Sequence, residues 1–181
     1  MIGVLVSGNG SNLQALIDAG LPVAAVASNR PGVRALERAE AAGIPARVFD
    51  LADHPGRETR DEAMALWLRE HDVDLVVCAG YMQLLTPAFL DRFPQRVVNV
   101  HPSLLPDFPG ARAVEDALAA GVATTGVTVH VVDAGLDTGP VVLQERVPVL
   151  AGDTVETLHA RIKEVEHRLL PAAVEELLCA R

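Results

Sequence analysis

Ile2-Gly3-Val4-Leu5-Val6, then Ser7-Gly8-Asn9-Gly10-Ser11, then Asn12-Leu13-Gln14-Ala15-Leu16-Ile17-Asp18-Ala19: these residues decide how the rest of the chain is read. A short apolar run rich in β-branched residues predicts a buried strand. The glycine-rich segment predicts a tight turn. The amphipathic spacing from Asn12 to Ala19 predicts a helix, with Ser11 or Asn12 as its N-terminal cap. Strand, glycine loop and helix in that order open an α/β fold.

Outward from there the alternation continues. Strands are expected at Pro22–Ala27, Pro45–Phe49, Leu75–Ala79 and Val97–Val100, and helices at Val33–Ala42, Arg57–His71 and Thr86–Arg92. Ala63, Leu66 and Trp67 have the spacing of a buried helix face. Thr86 and Pro87 read as a cap and a first helical residue. After His101 the rhythm breaks, because Pro102, Pro106, Pro109 and Gly110 leave no room for a regular element. A short helix at Ala113–Ala120 and two long strands, Thr124–Val132 and Val141–Val149, come next. In the last helix Asp153 and Glu156 read as a capping box, Val155, Leu158, Ile162, Val165 and Leu169 form the apolar face, and Pro171 is expected to kink it. The expectation is an α/β domain over residues 1–181: a mostly parallel, twisted, Rossmann-like sheet with helices on both faces and antiparallel strands in the C-terminal part.

Composition narrows the function classes. Half of the residues are hydrophobic, which suits a chain of this length to a core without staples. The net charge is −9 and Lys163 is the single lysine, so a nucleic-acid partner is not expected. Arg57, Arg60, Asp61 and Glu62 read as a solvated, mixed-charge surface. No signal-peptide pattern follows Met1, and no apolar run has the length of a membrane span, so neither targeting nor a membrane partner is expected. Cys78 and Cys179 lack metal-ligand spacing and read as reduced thiols of a cytoplasmic protein. His54, His71, His159 and His167 read as ordinary core or surface histidines.

Three segments carry chemistry. In Ser7–Asn12 a glycine turn before a helix offers backbone N–H groups to an anion, and Asn9, Ser11 and Asn12 add polar side chains; its spacing fits neither the dinucleotide fingerprint nor the P-loop. In Asn99-Val100-His101-Pro102 the Asn and the His stand two apart, so on a strand they project together at its C-terminal end, where open α/β sheets bind ligands. In Asp133–Pro140 the alternating Asp and Gly lack the closing Glu of a calcium loop, so a carboxylate on a rigid turn is the better reading. An amide donor, an imidazole and a carboxylate, with no Ser-His or Cys-His arrangement, suit acyl transfer to a substrate that brings its own nucleophile. No metal is expected.

SGNGSNLQALID (7–18), NVHPSLLP (99–106) and GVTVHVVDAGLDTGPVVLQ (126–144) resemble the glycinamide ribonucleotide formyltransferases, in order and over nearly the whole chain. The resemblance implies that Asn99, His101 and Asp137 are catalytic. It implies that Gly10, Ser11 and Asn12 cradle the substrate phosphate and that Glu166 binds the ribose hydroxyls. It further implies a folate site at Met82, Gln83, Leu84 and Leu85, at Val132, Asp133, Ala134 and Gly135, and at Arg57 near the folate tail. The co-substrate would be 10-formyltetrahydrofolate, the acceptor glycinamide ribonucleotide, and the assembly a monomer or homodimer. Residues up to about 100 would form the ribonucleotide-phosphate side, and those from about 101 the folate and catalytic loops. The Leu105–Pro106 peptide is expected to be cis, as in relatives.

Two departures stand out. Val114 occupies a position where many relatives carry His, with Arg112 just before it, and Gln83 stands where some have Arg. Formyltetrahydrofolate hydrolases share the catalytic three but normally carry an N-terminal regulatory domain, whereas here a strand is expected from Ile2. Methionyl-tRNA formyltransferases add a C-terminal nucleic-acid-binding domain and a basic surface. A non-catalytic nucleotide-binding module would explain the N-terminal loop and leave Asn99, His101 and Asp137 unexplained.

Overall fold

All residues of the first strand, β1 (Ile2–Val6), are buried, so it shows no alternation of inward and outward side chains. That is the mark of a strand covered on both faces in a parallel sheet. The protein is described here by a computed structural model covering residues 1–180. β1 pairs in parallel with β2 (Val23–Ser28) on one edge and with β4 (Leu75–Cys78) on the other. β2 pairs with β3 (Ala46–Val48), and β4 with β5 (Val97–His101), again in parallel. The order β3-β2-β1-β4-β5 reverses direction at β1. At such a switch point the loops leaving the C-terminal ends of two neighbouring strands diverge and leave a crevice.

The helices between these strands are α1 (Ser11–Asp18), α2 (Arg34–Ala41), α3 (Arg57–Glu70) and the single turn α4 (Pro87–Leu90), with a 3₁₀ turn at Leu51–Asp53. Most boundaries fall within a residue or two of the sequence reading, but two local expectations fail. α1 has no side-chain cap from Ser11 or Asn12; Gly10 takes the cap position with φ 75°. A Cβ on Gly10 would also lie 2.6 Å from the Ala35 Cβ, so close approach of α2 and left-handed backbone both demand glycine there. On α3 the buried residues are Arg60, Asp61, Met64, Ala65 and Leu68, not the face of Ala63, Leu66 and Trp67. Arg60 and Asp61 are therefore not a solvated pair: their side chains are 1% and 0% exposed and joined at 2.7 Å.

The chain divides into two compact units, Met1–Asn99 and the part from Val100 onward. In the second, α5 (Ala113–Ala119) precedes an antiparallel pair, β6 (Thr124–Val131) and β7 (Val141–Pro148), against which α6 (Val155–Cys179) packs. Leu158, Ile162 and Val165 are buried as the apolar pattern requires, and α6 continues through Pro171. Its cap is Thr154 in a reciprocal pair with Thr157, not Asp153 with Glu156. Asp153 instead takes two donors from Arg161, at 2.8 and 3.0 Å, and the Leu150 N–H. The proline-rich segment is locked from β6. Thr128 Oγ1 donates to the Ser103 carbonyl at 2.7 Å and accepts the Leu105 N–H at 3.1 Å. The Leu105–Pro106 peptide is cis.

Candidate active site

At the C-terminal end of β1 the chain turns through Gly8–Gly10 into an α1 that no side chain caps and whose first turn carries no acid. The first-turn N–H groups of a helix have no intrahelical acceptor, and the helix dipole adds partial positive charge there. Gly10, Ser11 and Asn12 thus stand where an uncapped helix N-terminus offers its N–H groups, a place chemically suited to an anion. A cation that the sequence reading overlooked steadies it. Arg38 on α2 donates to the Asn9 carbonyl at 3.0 Å, to Asn9 Oδ1 at 3.1 Å and to Gln14 Oε1 at 3.0 Å.

At the end of β4, the segment that includes Met82–Leu85 lies beside that turn, with the Met82 N–H donating to Ser7 Oγ at 2.9 Å. Met82 and Leu84 are 56% and 57% exposed, an unusual placement for large apolar side chains and one typical of an interaction surface. Gln83 and Leu85 are half-buried. The Arg57 guanidinium donates to the Leu84 carbonyl at 2.6 Å, so at least one of its N–H groups serves the loop itself.

In the second unit one carboxylate stands between two imidazoles. Asp137 Oδ2 lies 3.5 Å from His101 Nδ1, and Asp137 Oδ1 lies 3.5 Å from His130 Nε2. All three side chains are at most 10% exposed. The Gly110 N–H donates to Asp137 Oδ2 at 2.8 Å. Hydrogen bonding from His130 holds the Asp137 carboxyl below its ordinary range, against burial, with help from the Gly110 N–H and the charge of the two rings. Each ring's other nitrogen faces a carbonyl: His101 Nε2 that of Phe108 at 2.8 Å, and His130 Nδ1 that of Val131 at 3.1 Å. A neutral imidazole has a single N–H and can serve one such acceptor, while a protonated one serves both.

Asp137 itself has φ 54°, a left-handed conformation that Asp tolerates better than most residues. The loop returns so close to the strand that a Cβ on Gly139 would overlap the Val131 carbonyl, so only glycine fits there. Asp133 Oδ1 closes the turn by accepting from the Gly135 N–H at 2.9 Å and Thr138 Oγ1 at 2.7 Å. Val132 is half-buried, and Asp133, Ala134 and Gly135 are exposed.

Asn99 and His101 alternate with Val100 on β5 and so project to the same side. Asn99 is half-buried and His101 buried. Glu166 lies on α6 at 6% exposure, far from a solvated helix carboxylate. Val114 is buried, and Arg112 is exposed at the cap position of α5. Among the described residues no group of three His, Cys, Asp or Glu side chains could hold a metal ion, and no helix is long and apolar enough to cross a membrane.

The profile of the family described as formyl transferase matches residues 1–174. The chain belongs to the formyl transferase family. A phosphoribosylglycinamide formyltransferase of Mycobacterium tuberculosis is 52% identical over 179 residues, covering 96% of this chain and 83% of that protein. The crystal structure of the phosphoribosylglycinamide formyltransferase from Streptococcus pneumoniae superposes with a TM-score of 0.94 at 45% identity, covering 98% of both chains. The trifunctional purine biosynthetic protein adenosine-3 of Homo sapiens is 45% identical over 180 residues, covering 96% of this chain and 18% of that protein. As a formyl transferase the chain has the mostly parallel fold with antiparallel C-terminal strands that its sequence implied.

His130 is the site neighbour that sequence reading missed. It sits in an apolar strand segment, Val127–Val131, inside the 126–144 stretch that carries the resemblance, where no role was assigned to it. The available signal was period two: Thr128, His130 and the strand's end share a side, and His130 alone of the histidines precedes the Asp133–Pro140 turn by a few residues.

Proposed function

We propose that this formyl transferase moves the formyl group of 10-formyltetrahydrofolate to the amine of glycinamide ribonucleotide, a step of purine synthesis. The observation that carries the mechanism is the half-buried Asp137 carboxylate between His101 and His130. The amine nitrogen attacks the formyl carbon, and a C–N bond forms while the carbonyl oxygen takes up negative charge. The Asn99 amide and the His101 ring donate to that oxygen. Nδ1 is the available donor, because Nε2 is committed to the Phe108 carbonyl while Nδ1 has only a long 3.5 Å approach to Asp137. The carboxylate offsets positive charge on the ring and, through water, accepts the proton released by the amine. Collapse of the tetrahedral intermediate breaks the bond to folate N10, which takes a proton and leaves.

Binding follows the same reading. Gly10, Ser11 and Asn12 hold the phosphate and Glu166 the ribose hydroxyls. Met82, Gln83, Leu84 and Leu85 serve the pteridine, Val132, Asp133, Ala134 and Gly135 belong to the folate contacts as well, and Arg57 serves the folate tail. The rival is hydrolysis, in which water replaces the amine. Orienting an amine supplies proximity worth up to about 7 to 11 kcal/mol, which an unplaced water lacks. Loss of formyl from 10-formyltetrahydrofolate, followed by absorbance, is expected to rise at least about a hundredfold on adding the ribonucleotide, with equimolar formylated product. Ser11→Asp, which puts a negative charge in the phosphate turn, is expected to abolish that rise. Fast formate release without the ribonucleotide, unaffected by Ser11→Asp, would assign the chain to the hydrolases.

A further inference from the structure

The segment joining β4 to α4 is fastened at every second residue. The Met82 N–H donates to Ser7 Oγ at 2.9 Å, the Leu84 carbonyl accepts from Arg57 at 2.6 Å, and the Thr86 N–H donates to Asp61 Oδ2 at 2.9 Å. Each anchor is itself placed. Ser7 Oγ donates to Asn29 Oδ1 at 2.6 Å. Arg57 and Asp61 stand four residues apart on α3, so one helix face reaches two points of the loop. Asp61 uses its two oxygens differently: Oδ1 accepts both Nε and NH2 of Arg60, at 2.9 and 2.7 Å, which leaves Oδ2 aimed at Thr86.

A fully buried Arg–Asp pair is a poor source of net stability, since the loss of hydration offsets the attraction. Its evident effect here is directional. It turns one carboxylate oxygen outward to the loop backbone, and above that backbone Met82 and Leu84 keep their apolar side chains in solvent. A loop held in its binding shape loses less entropy when a ligand arrives.

We propose that Asp61, oriented by Arg60, is a positioning residue for the folate-binding loop, and that with Ser7 and Arg57 it forms a three-point mount fixing residues 82–86 in their binding shape. The inference rests on the proposed folate role of that loop. In Asp61→Asn the Arg60 donors claim the single amide oxygen and turn the amide N–H groups toward the Thr86 N–H, donor against donor. Adding Arg60→Met frees that oxygen to face Thr86 again. The double variant removes more of the ion pair yet is expected to restore the anchor, which a merely structural pair would not do.

The test combines amide hydrogen exchange over residues 81–86 with steady-state kinetics on the full chain. Asp61→Asn is expected to speed exchange there and to raise KM for 10-formyltetrahydrofolate about tenfold, the effect of losing one charged hydrogen bond. KM for glycinamide ribonucleotide should stay within about twofold, and the double variant should recover most of the folate KM. Ser7→Ala buries no unpaired charge, so it tests the mount even if Asp61→Asn folds poorly; it should speed exchange at Met82 and raise the same KM. Unchanged exchange in both variants, or a double variant worse than the single, would overturn the mount. Faster exchange with an unchanged folate KM would leave the mount standing and overturn the loop's assignment to folate.

Discussion

Replacing Asp137 by Asn removes one negative charge and almost no volume. The amide oxygen can keep the Gly110 N–H, now at 2.8 Å, and Asn tolerates the left-handed backbone at this position, φ 54°. The lost interaction is electrostatic. With His101 Nδ1 3.5 Å from the carboxylate, Coulomb attraction to a protonated ring is about 5 kcal/mol at an effective dielectric of about 20. An amide dipole retains part of it, so the transition state should lose about 2 to 4 kcal/mol, and kcat should fall about 30- to 1000-fold. Stopped-flow absorbance of formyl transfer, under saturating concentrations of both substrates, measures this directly. The fold should survive, with Tm within about 4 °C of wild type at neutral pH. Because the folded state holds the Asp137 carboxyl below its ordinary range, its stabilising contribution is complete above about pH 4 and disappears as pH falls through the lowered value. Any stability deficit of the variant should therefore narrow in acid. A well-folded variant whose kcat stays within about threefold of wild type would refute the role given to Asp137.

Asn99→Ala should cost about 3 kcal/mol of transition-state stabilisation, seen in kcat with little change in Tm, if the amide donates to the formyl oxygen; retention of more than about a third of wild-type turnover would remove that role. Glu166→Gln should raise KM for the ribonucleotide and leave folate affinity nearly unchanged, and equal KM values in mutant and wild type would return Glu166 to a packing role. Asp153 is held well below the ordinary carboxylate range, first by the Arg161 hydrogen bonds and then by the Leu150 N–H. Asp153→Asn should thus lower Tm at neutral pH, with the difference closing as pH falls below about 4 toward the lowered value; a pH-independent difference would show that the carboxylate's charge contributes nothing.

What the sequence determined by itself was local. The buried run Ile2–Val6, the glycine turn after it and the alternation that follows are set by neighbours a few residues away, through side-chain periodicity and backbone freedom. The same is true of Asn99 and His101, whose common side follows from the pleat of β5 alone, and of the Asp133–Pro140 turn. Only the tertiary structure decided which polar groups meet. Arg60 and Asp61 read as solvent-facing because charged residues usually are, yet α3 turns them into the core, where a backbone N–H 25 residues further on completes the carboxylate. Ser7 reaches Met82 across 75 residues, and Gly110 reaches Asp137 across 27. His130 becomes a partner of Asp137 only when the turn folds back beside its strand. The caps moved for the same reason. Ser11 lost its place to Gly10 because α2 comes within 2.6 Å of where a Cβ would stand, and Asp153 was drawn from the α6 cap by Arg161, two helical turns along. Periodicity is written in consecutive residues, whereas a buried polar group takes whichever partner the packed fold brings within about 3 Å, and that partner can lie anywhere in the chain.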